Sequence, residues 1–374
     1  MLWPFGPLSS HKPNYKPPMA QPQHILIIGA GLIGLATARA CVNSGAKVTL
    51  VERQSFTGHG AGFANSGMIH PSQAWPWVTG DLNIGAQLQA ARNVADLART
   101  SVTSLKDRMV KLGLSDIKRE TACYKIFESH EARNLAKDQY SQIDIQTQDS
   151  VILGRPALIF PNDFSGSAYD WSQAETQALR QDGVTLQTNA QVTLGEKDGH
   201  ATVSIDECHV RADHIILCTG YSTNKLLHPL KLNLPIKPVR GFALDFDMAG
   251  LDVTSLPQAP IMDAKSHSAL TLFGKTLRLS GTLNEQTAHP LWQRWCHLSP
   301  NLMSNVSDPK RIWSGFRPVS ELGRPIITQS PLKNLWVNSG HGHMGWTLCM
   351  ASGQLMADMV IAGQSNSNFS WPLN

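Results

Sequence analysis

Three glycines and one acid near the start of the chain have the spacing of a dinucleotide site. Gly29, Gly31 and Gly34 follow the apolar run 25–28, and Glu52 ends the next apolar run. In such a unit the first glycine permits a tight turn, the second lets a pyrophosphate approach the backbone, and the third lets helix and strand pack closely. The helix start offers N–H groups to the phosphates. The acid favours an unphosphorylated ribose, which indicates FAD or NAD and not NADP.

A second glycine-rich segment lies near the end of the chain, between an apolar strand and a helix. Gly340, Gly342 and Gly345 fall within 340–347, and this density of glycine brings backbone amides against something flat or anionic. The helix that follows directs its positive dipole end to the same place. A reduced flavin carries negative charge around N1 and O2, whereas a nicotinamide ring gains none. The segment therefore favours FAD over NAD, and a plain strand-to-helix turn is the alternative.

A single charge in an apolar setting is a candidate substrate anchor. Arg317 stands in the run Trp-Ser-Gly-Phe-Arg-Pro. A planar guanidinium can bind a carboxylate through two parallel hydrogen bonds. The alternative is a structural arginine paired with Glu321 or Asp308, because a buried arginine needs an anion in either case.

Four further residues are candidates for the lining of a pocket. We assign Tyr221 and His343, together with Arg317, to catalysis, and His70 and Trp346 to the substrate pocket. For each histidine taken alone, a hydrogen-bonded loop residue is an equally good interpretation.

The elements that must position these residues follow from hydrophobic periodicity. Helical spacing over 84–112 predicts one or two amphipathic helices, and 348–362 predicts the last helix. The run 214–220 is apolar enough for a central strand of a parallel sheet, while 235–281 alternates with period two and turns at Gly274. We therefore predict an α/β fold, with a Rossmann-type FAD-binding domain and an inserted α+β substrate domain that carries an antiparallel sheet.

The predicted nucleotide domain is discontinuous, because its motifs lie at both ends of the chain. The proline-rich segment 1–22 is predicted to be a disordered tail, and 365–374 a C-terminal tail. The predicted FAD-binding domain comprises 23–70, 149–232 and 310–364, and the predicted substrate domain comprises 71–148 and 233–309.

Composition excludes several classes of function. The chain has 32 Lys and Arg against 28 Asp and Glu, a net charge of +4 with no basic run, so nucleic-acid binding is not expected. Residues 1–22 contain no apolar run long enough for a signal peptide or a membrane span, so we expect a cytoplasmic protein. The weak positive charge is compatible with peripheral association with the inner membrane. Six cysteines without zinc spacing indicate reduced core thiols, and no metal site is predicted.

In their order along the chain, the motifs resemble those of a known flavoenzyme family. They are the glycine triplet with Val-Glu-Arg at 51–53, Ala-Asn-Ser-Gly-Met at 64–68, Cys-Thr-Gly-Tyr-Ser at 218–222, Gly-Phe-Arg-Pro at 315–318 and Gly-His-Gly-His-Met-Gly-Trp-Thr at 340–347. The chain resembles the FAD-dependent D-amino acid oxidase/dehydrogenase superfamily, the DAO family, and within it the bacterial D-amino acid dehydrogenases. The resemblance covers nearly the whole chain after residue 22.

The resemblance implies a role for each matching residue, with Arg317 as the anchor of the substrate carboxylate. The FAD contacts that it implies are Gly29, Ala30, Gly31, Leu32, Ile33, Gly34, Glu52 and Arg53 for the ADP half; Ala64, Asn65, Ser66, Gly67 and Met68 beside the isoalloxazine ring; Val192 at the adenine; Thr219 and Gly220 near the pyrophosphate; and Gly340, His341, Gly342, His343, Met344, Gly345, Trp346 and Thr347 at the pyrimidine end of the flavin.

The resemblance implies FAD-dependent oxidative deamination of a small amine, with a D-amino acid as the first expectation. Hydride would pass from the α-carbon to flavin N5, and the imino acid would hydrolyse to a 2-oxo acid and ammonia. A quinone, another acceptor or oxygen would take the electrons. Three alternatives stay open: an oxidase or dehydrogenase of glycine, sarcosine or an amine without a carboxylate; a 2-hydroxy-acid dehydrogenase; and the flavin subunit of a heteromeric membrane-associated dehydrogenase.

Overall fold

The computed structural model describes residues 22–77, 81–114, 122–249, 258–281, 285–364, 366 and 368–372, so the predicted tail 1–22 lies outside the described residues except for its last position. In these ranges the strands, in chain order, are β1 (His24–Ile28), β2 (Lys47–Val51), β3 (Met68–Ile69), β4 (Cys123–Ile126), β5 (Gln148–Ile152), β6 (Arg155–Phe160), β7 (Phe164–Ser165), β8 (Thr185–Gln187), β9 (Val192–Lys197), β10 (His200–Ile205), β11 (Cys208–Val210), β12 (His214–Leu217), β13 (Ile236–Asp247), β14 (Ile261–Asp263), β15 (Ser268–Phe273), β16 (Thr276–Gly281), β17 (Arg311–Ser320), β18 (Ile326–Gln329) and β19 (Leu335–Ser339). The α-helices are α1 (Leu32–Asn43), α2 (Ile84–Lys111), α3 (His130–Ser141), α4 (Ala168–Gln181), α5 (Thr223–Leu227), α6 (His289–Leu298), α7 (Pro300–Met303) and α8 (Gly345–Ala362).

A six-stranded sheet in the order β18-β19-β12-β1-β2-β8 forms the nucleotide-binding half. Its strands are parallel except for β18, which pairs with β19 in the antiparallel direction. The central strand β1 is apolar along its length because both faces of the sheet are covered. Helices α1 and α8 pack together on one face, where Gly353 allows close approach to the backbone of Ala36. The three-stranded sheet β11-β10-β9 contributes to the apolar core on the other face. This is the predicted Rossmann-type half.

An eight-stranded sheet in the order β17-β13-β16-β15-β14-β4-β6-β5 forms the second half. Its pairs are antiparallel, except that β14 and β4 run in parallel. The predicted hairpin is confirmed, because Phe273 lies opposite Thr276 and leaves a two-residue turn at Gly274. Helix α6 buries Leu291 and Trp295 against the sheet. The predicted fold class is therefore observed, with a separate, mainly antiparallel sheet.

Sheet membership departs from the predicted domain boundaries in two places. Strands β5 and β6, which fall in 149–232 apart from Gln148, extend the eight-stranded sheet, because β6 pairs with β4. Strand β17, which falls in 310–364, also belongs to that sheet, because it pairs along its length with β13. The pairing partners of both segments are distant in sequence, so periodicity alone could not assign them. We correct both boundaries accordingly.

Two helices differ from the sequence expectations, α2 in the half of the molecule that it packs against and α8 in its first residue. The predicted helix pattern over 84–112 is a single helix, α2, which packs against α8 and contributes Leu105 and Met109 to the core of the nucleotide-binding half. Its placement in the predicted substrate domain 71–148 is therefore corrected. The last helix begins at Gly345, not at 348. Within the predicted C-terminal tail, Phe369 is only 3% exposed and belongs to the same core.

Candidate active site

The turn between β1 and α1 forms one wall of a deep cleft. Gly29 has a φ of +100°, and a Cβ there would lie 2.6 Å from the carbonyl oxygen of Cys218. A Cβ on Gly34 would lie 1.8 Å from the carbonyl oxygen of Gly29, whereas one on Gly31 would meet no atom within 4 Å. The first and third glycines therefore let the chain pack on itself, and the second borders open space that a ligand can enter.

Backbone amides hold Glu52 in place directly after β2. Its Oε2 accepts a hydrogen bond from the Ala30 amide at 2.8 Å, and its Oε1 accepts one from the Gln54 amide at 2.9 Å. A carboxylate can accept further bonds beyond these, so Glu52 can still accept from ribose hydroxyls. The neighbouring Arg53 donates to the hydroxyls of Ser222 at 3.2 Å and Tyr221 at 3.1 Å.

The first turns of two helices border the same cleft. Helix α1 begins after Gly31 and α8 begins after Met344, and neither start has a side-chain cap. Unpaired amides and the positive ends of both helix dipoles therefore favour an anionic ligand here. Two buried ring nitrogens on the lining, His341 Nδ1 and Trp346 Nε1, have no hydrogen-bond partner among the described residues. With these donors on its lining and open space at Gly31, the cleft fits a dinucleotide such as FAD.

The structure brings most of the predicted cofactor residues to this cleft. Those that line it are Gly29, Gly31, Leu32, Ile33, Glu52, Arg53, Asn65, Val192, Thr219, Gly220, His341, Gly342, His343, Gly345 and Trp346. Others do not border it and support it from behind: Ala30, Gly34, Gly67, Gly340, Met344 and Thr347. Thr347, for example, is buried and accepts a hydrogen bond from the His70 amide at 3.0 Å.

A smaller cavity of about 90 Å³ lies beside the cleft, against one face of the eight-stranded sheet. It is lined by Ala64, Ser66 and Met68 from the segment predicted to pass the flavin. The two cavities share Ala61, Asn65, Arg317 and His343 in their linings. A small substrate and the redox end of a dinucleotide can therefore meet at these four residues.

Arg317 lies on β17 at the junction of the two cavities. Its guanidinium crosses the backbone of Gly241 on β13, where a Cβ would lie 2.3 Å from Nη1. The guanidinium carbon lies 5.9 Å from the centre of the Trp77 ring. Burial lowers the pKa of Arg317 to about 10. Glu321, one partner of the structural alternative, pairs instead with Lys237 at 2.5 Å.

Two neutral histidines face the same cavity. The ring of His343 stacks on Trp77 at 3.8 Å, and its Nε2 lies 2.8 Å from the backbone oxygen of Gln73. A carbonyl oxygen can only accept, so Nε2 carries the proton and Nδ1 is an acceptor. Burial lowers the pKa of His343 well below its ordinary value. Burial also lowers the pKa of His70 to about 4.

Two of the predicted site residues lie elsewhere. Tyr221 is 39% exposed on a turn at the nucleotide cleft, where its hydroxyl accepts from Arg53, and it does not line the smaller cavity. Trp346 is 3% exposed and its ring packs 5.3 Å from that of Trp171 in the core. We therefore correct both assignments: Tyr221 is not placed for catalysis, and Trp346 borders the cofactor cleft instead of the substrate pocket.

Sequence reasoning missed several residues of the smaller cavity, among them Gln73, Trp77, Lys125, His267 and Trp313. They come from separate loops and strands, so no local motif collects them. One signal was available for Lys125, which is the single charge in the otherwise apolar run 123–127. A lone charge in a buried strand is typical of a residue with a specific partner.

Comparison with known proteins decides the family. The family described as FAD dependent oxidoreductase, DAO, matches residues 24–359. The chain belongs to the DAO family. It is accordingly an FAD-dependent oxidoreductase, and the cleft described above fits a dinucleotide cofactor. Within the described residues, no helix combines the length and hydropathy needed to cross a membrane.

Individual relatives of this DAO-family chain are distant but extend over its length. A D-amino acid dehydrogenase of Vibrio vulnificus YJ016 is 26% identical, over 91% of this chain and 97% of its own. The solved glycine oxidase of Geobacillus kaustophilus has a TM-score of 0.77 at 20% identity, covering 93% of this chain and 98% of its own. The solved iminodiacetate oxidase of Chelativorans sp. BNC1 also has a TM-score of 0.77 at 20% identity, covering 92% and 98%.

Proposed function

We propose that this FAD-dependent oxidoreductase of amino acids or amines acts on D-amino acids and converts each to a 2-oxo acid and ammonia. The observation that carries the proposal is the position of Arg317, a guanidinium shared by the cofactor cleft and the small cavity. A carboxylate bound there would hold the adjoining α-carbon at the junction of the two cavities. The similarity to D-amino acid dehydrogenases supports the choice of substrate class.

The cofactor residues have a separate task from the substrate residues. Gly31 and the uncapped starts of α1 and α8 would bind the phosphates, and Glu52 would bind the ribose. When bound, FAD would serve as the two-electron acceptor for oxidation of the carbon–nitrogen bond. The substrate loses one hydrogen from carbon and one from nitrogen, and water then hydrolyses the free imino acid.

The charges of the pocket favour the uncharged form of the substrate amine. Arg317 and Lys125 are cations on the lining, and they raise the cost of binding an ammonium group. His70 and His343 are neutral, since burial lowers the pKa of both. The Nδ1 atom of His343 can accept a hydrogen bond from the amine and so orient it. In this proposal no residue has to act as a strong base.

The electron acceptor and the location of the enzyme belong to the proposal as well. The dehydrogenase relatives support a quinone or another acceptor that is not oxygen. A net charge of +4 supports weak attraction to an anionic membrane surface, where quinones are found. A vesicle co-sedimentation experiment tests this: binding to anionic vesicles that salt reverses is expected, and no binding at low salt would contradict it.

Anaerobic reduction of the bound flavin tests the substrate. The purified enzyme is mixed without oxygen with D-amino acids, their L-enantiomers, glycine, sarcosine, 2-hydroxy acids and amines lacking a carboxylate. Loss of visible flavin absorbance with D-amino acids is expected. Reduction by glycine or sarcosine alone would identify those amines, and not D-amino acids, as the substrates. Reduction only by amines without a carboxylate would contradict the role of Arg317. Repeating the mixing in air separates an oxidase from a dehydrogenase. Low turnover of the purified chain that a partner protein restores would identify it as a subunit of a larger complex.

A further inference from the structure

A second cation, Lys125, lies on the pocket wall away from Arg317. It belongs to β4, whereas Arg317 belongs to β17 at the edge of the same sheet. Four strands, β13, β16, β15 and β14, lie between them in the order of the sheet. Both side chains line the same small cavity. The lining therefore carries positive charge on two different strands, and only one of these cations is needed for an α-carboxylate.

The ammonium group of Lys125 is held by neutral acceptors. Its Nζ donates to Oε1 of Gln73 at 2.8 Å and to the hydroxyl of Tyr140 at 2.8 Å. No ion pair to Lys125 is found in the part of the chain that the structure describes. An ammonium group has three donors, so one remains for a ligand.

The carboxylates nearest the pocket are already bound to other groups. Asp263 lines the cavity, but its oxygens accept from Arg294 at 2.7 and 2.9 Å and from Ser266. Asp163 is buried behind the wall, where burial raises its pKa to about 7 against the smaller opposing effects of Ser72, which donates to both of its oxygens, and of the charge of Lys125. Neither carboxylate forms a direct ion pair with Lys125 in the described parts of the chain.

The remaining titratable groups of the wall do not supply an anion either. His70 and His267 line the cavity, and burial lowers the pKa of both, an effect that the charge of Lys125 reinforces. A partly buried ammonium without a counter-ion is costly unless an anion binds beside it. A negatively charged group of the ligand would therefore stabilise Lys125 in this pocket.

We infer that Lys125 binds a second anionic group of the substrate, at the end opposite the α-carboxylate, so that the preferred substrates are amino dicarboxylic acids. This inference rests on the proposed function for the identity of the reacting amine. It does not depend on that function for the site itself, because a dicarboxylate without an amine would occupy the same two cations.

Matched substrate pairs test the inference on the FAD-loaded enzyme. D-Glutamate and D-glutamine have the same size and differ in charge, as do D-aspartate and D-asparagine. We expect the acid to exceed its amide in kcat/KM by about tenfold or more, because a hydrogen bond between charged groups is lost in the amide. The substitution Lys125→Met should abolish this preference, so that kcat/KM for each acid falls to about that for its amide. The exposed Lys137→Met, which loses only a pair with Asp149, is the control that keeps the preference.

A purely structural lysine would give a different result. If Lys125 only supported Gln73 and Tyr140, Lys125→Met would lower kcat/KM for acids, amides and D-alanine alike. Equal kcat/KM for D-glutamate and D-glutamine in the unsubstituted enzyme would also overturn the inference while the proposed function stood. Failure of every amino acid to reduce the flavin would instead overturn the proposed function.

A binding measurement keeps the inference testable if Lys125→Met does not fold or no amino acid reacts. The unreactive dicarboxylates malonate, succinate, glutarate and adipate are titrated into the unsubstituted enzyme, and their Kd values are measured from the flavin spectrum and by calorimetry. We expect one chain length to bind at least about tenfold more tightly than its own monomethyl ester. Dicarboxylates that bind no more tightly than their monomethyl esters at every length would overturn the inference.

Discussion

The cofactor cleft and the substrate pocket are adjacent but are built in different ways. The cleft is formed by backbone: a glycine turn after β1 and the uncapped starts of α1 and α8. The pocket is formed by side chains such as Lys125 and Arg317, which stand on strands far apart in the chain. A backbone site tolerates few residue types and leaves a local motif, whereas a side-chain site depends on strand order. Substitutions should therefore affect folding or cofactor retention in the first region and substrate selection in the second.

The largest effect is expected from Gly34→Ala in the cleft. Its Cβ would lie 1.8 Å from a backbone oxygen that cannot move away, so little folded protein should form. The matched Gly31→Ala places a Cβ in open space, so the apoprotein should keep its Tm but retain FAD about tenfold less tightly or worse. Thermal unfolding and FAD content measure the two. Equal Tm loss in both variants would contradict the division of roles among the glycines.

In the pocket, Arg317→Leu should leave the fold and FAD content intact and lower kcat/KM for a D-amino acid about 100-fold. This corresponds to about 2.7 kcal/mol for lost hydrogen bonds between charged groups. The control is Arg240→Leu on β13, since Arg240 lines neither cavity. An unchanged KM in Arg317→Leu would show that the guanidinium does not bind the carboxylate.

Gly241→Ala should lower kcat/KM by an intermediate amount, because it displaces the guanidinium of Arg317. The new Cβ would occupy the place of Nη1, so the guanidinium must shift, and we expect kcat/KM to fall about tenfold with most of the change in KM. The same change at Gly85, at the start of α2, meets nothing closer than 3.4 Å and serves as the control. If combining Gly241→Ala with Arg317→Leu multiplies the two losses, the glycine does not act by positioning Arg317.

The charges of the pocket should have a smaller effect on the dependence of kcat/KM on pH. Arg317 is charged below its pKa of about 10, so carboxylate binding is present at lower pH and is lost as the pH rises through that value. On the acidic side kcat/KM should rise with pH only as the substrate amine deprotonates. No histidine is expected to titrate between pH 6 and 7, because burial lowers the pKa of His70 to about 4 and that of His343 well below its ordinary value. Burial raises the pKa of Asp163 to about 7, so a steep step that persists in Asp163→Asn would show that one histidine titrates as a base.

The smallest effect is expected from Tyr221→Phe. The hydroxyl only accepts from Arg53 at the exposed mouth of the cleft, so kcat/KM should change less than about twofold. Steady-state kinetics at saturating FAD measure it. A loss of tenfold or more would restore the catalytic role that the sequence suggested.

The nucleotide-binding half could be predicted from the sequence because its signals are local. The turn at Gly29 to Gly34, the acid at Glu52 and the central strand β12 were all predictable from short runs. Strands β6 and β17 were not assigned to the correct sheet, because their pairing partners β4 and β13 could be identified only in three dimensions. The pocket was predicted in part: Arg317 stood out as a lone charge, while Lys125 gave the same signal and was passed over. Trp77 and His267 left no local signal, since their pairing depends on loop packing.

The central claim is that Arg317 binds the carboxylate of the substrate, and a comparison of D-alanine with D-alaninamide tests it most directly. The two substrates share the reacting carbon and amine and differ in the carboxylate. We expect the unsubstituted enzyme to prefer D-alanine by about 100-fold in kcat/KM and Arg317→Leu to reduce the ratio to about one. A ratio that is unchanged in Arg317→Leu would show that the carboxylate is bound elsewhere.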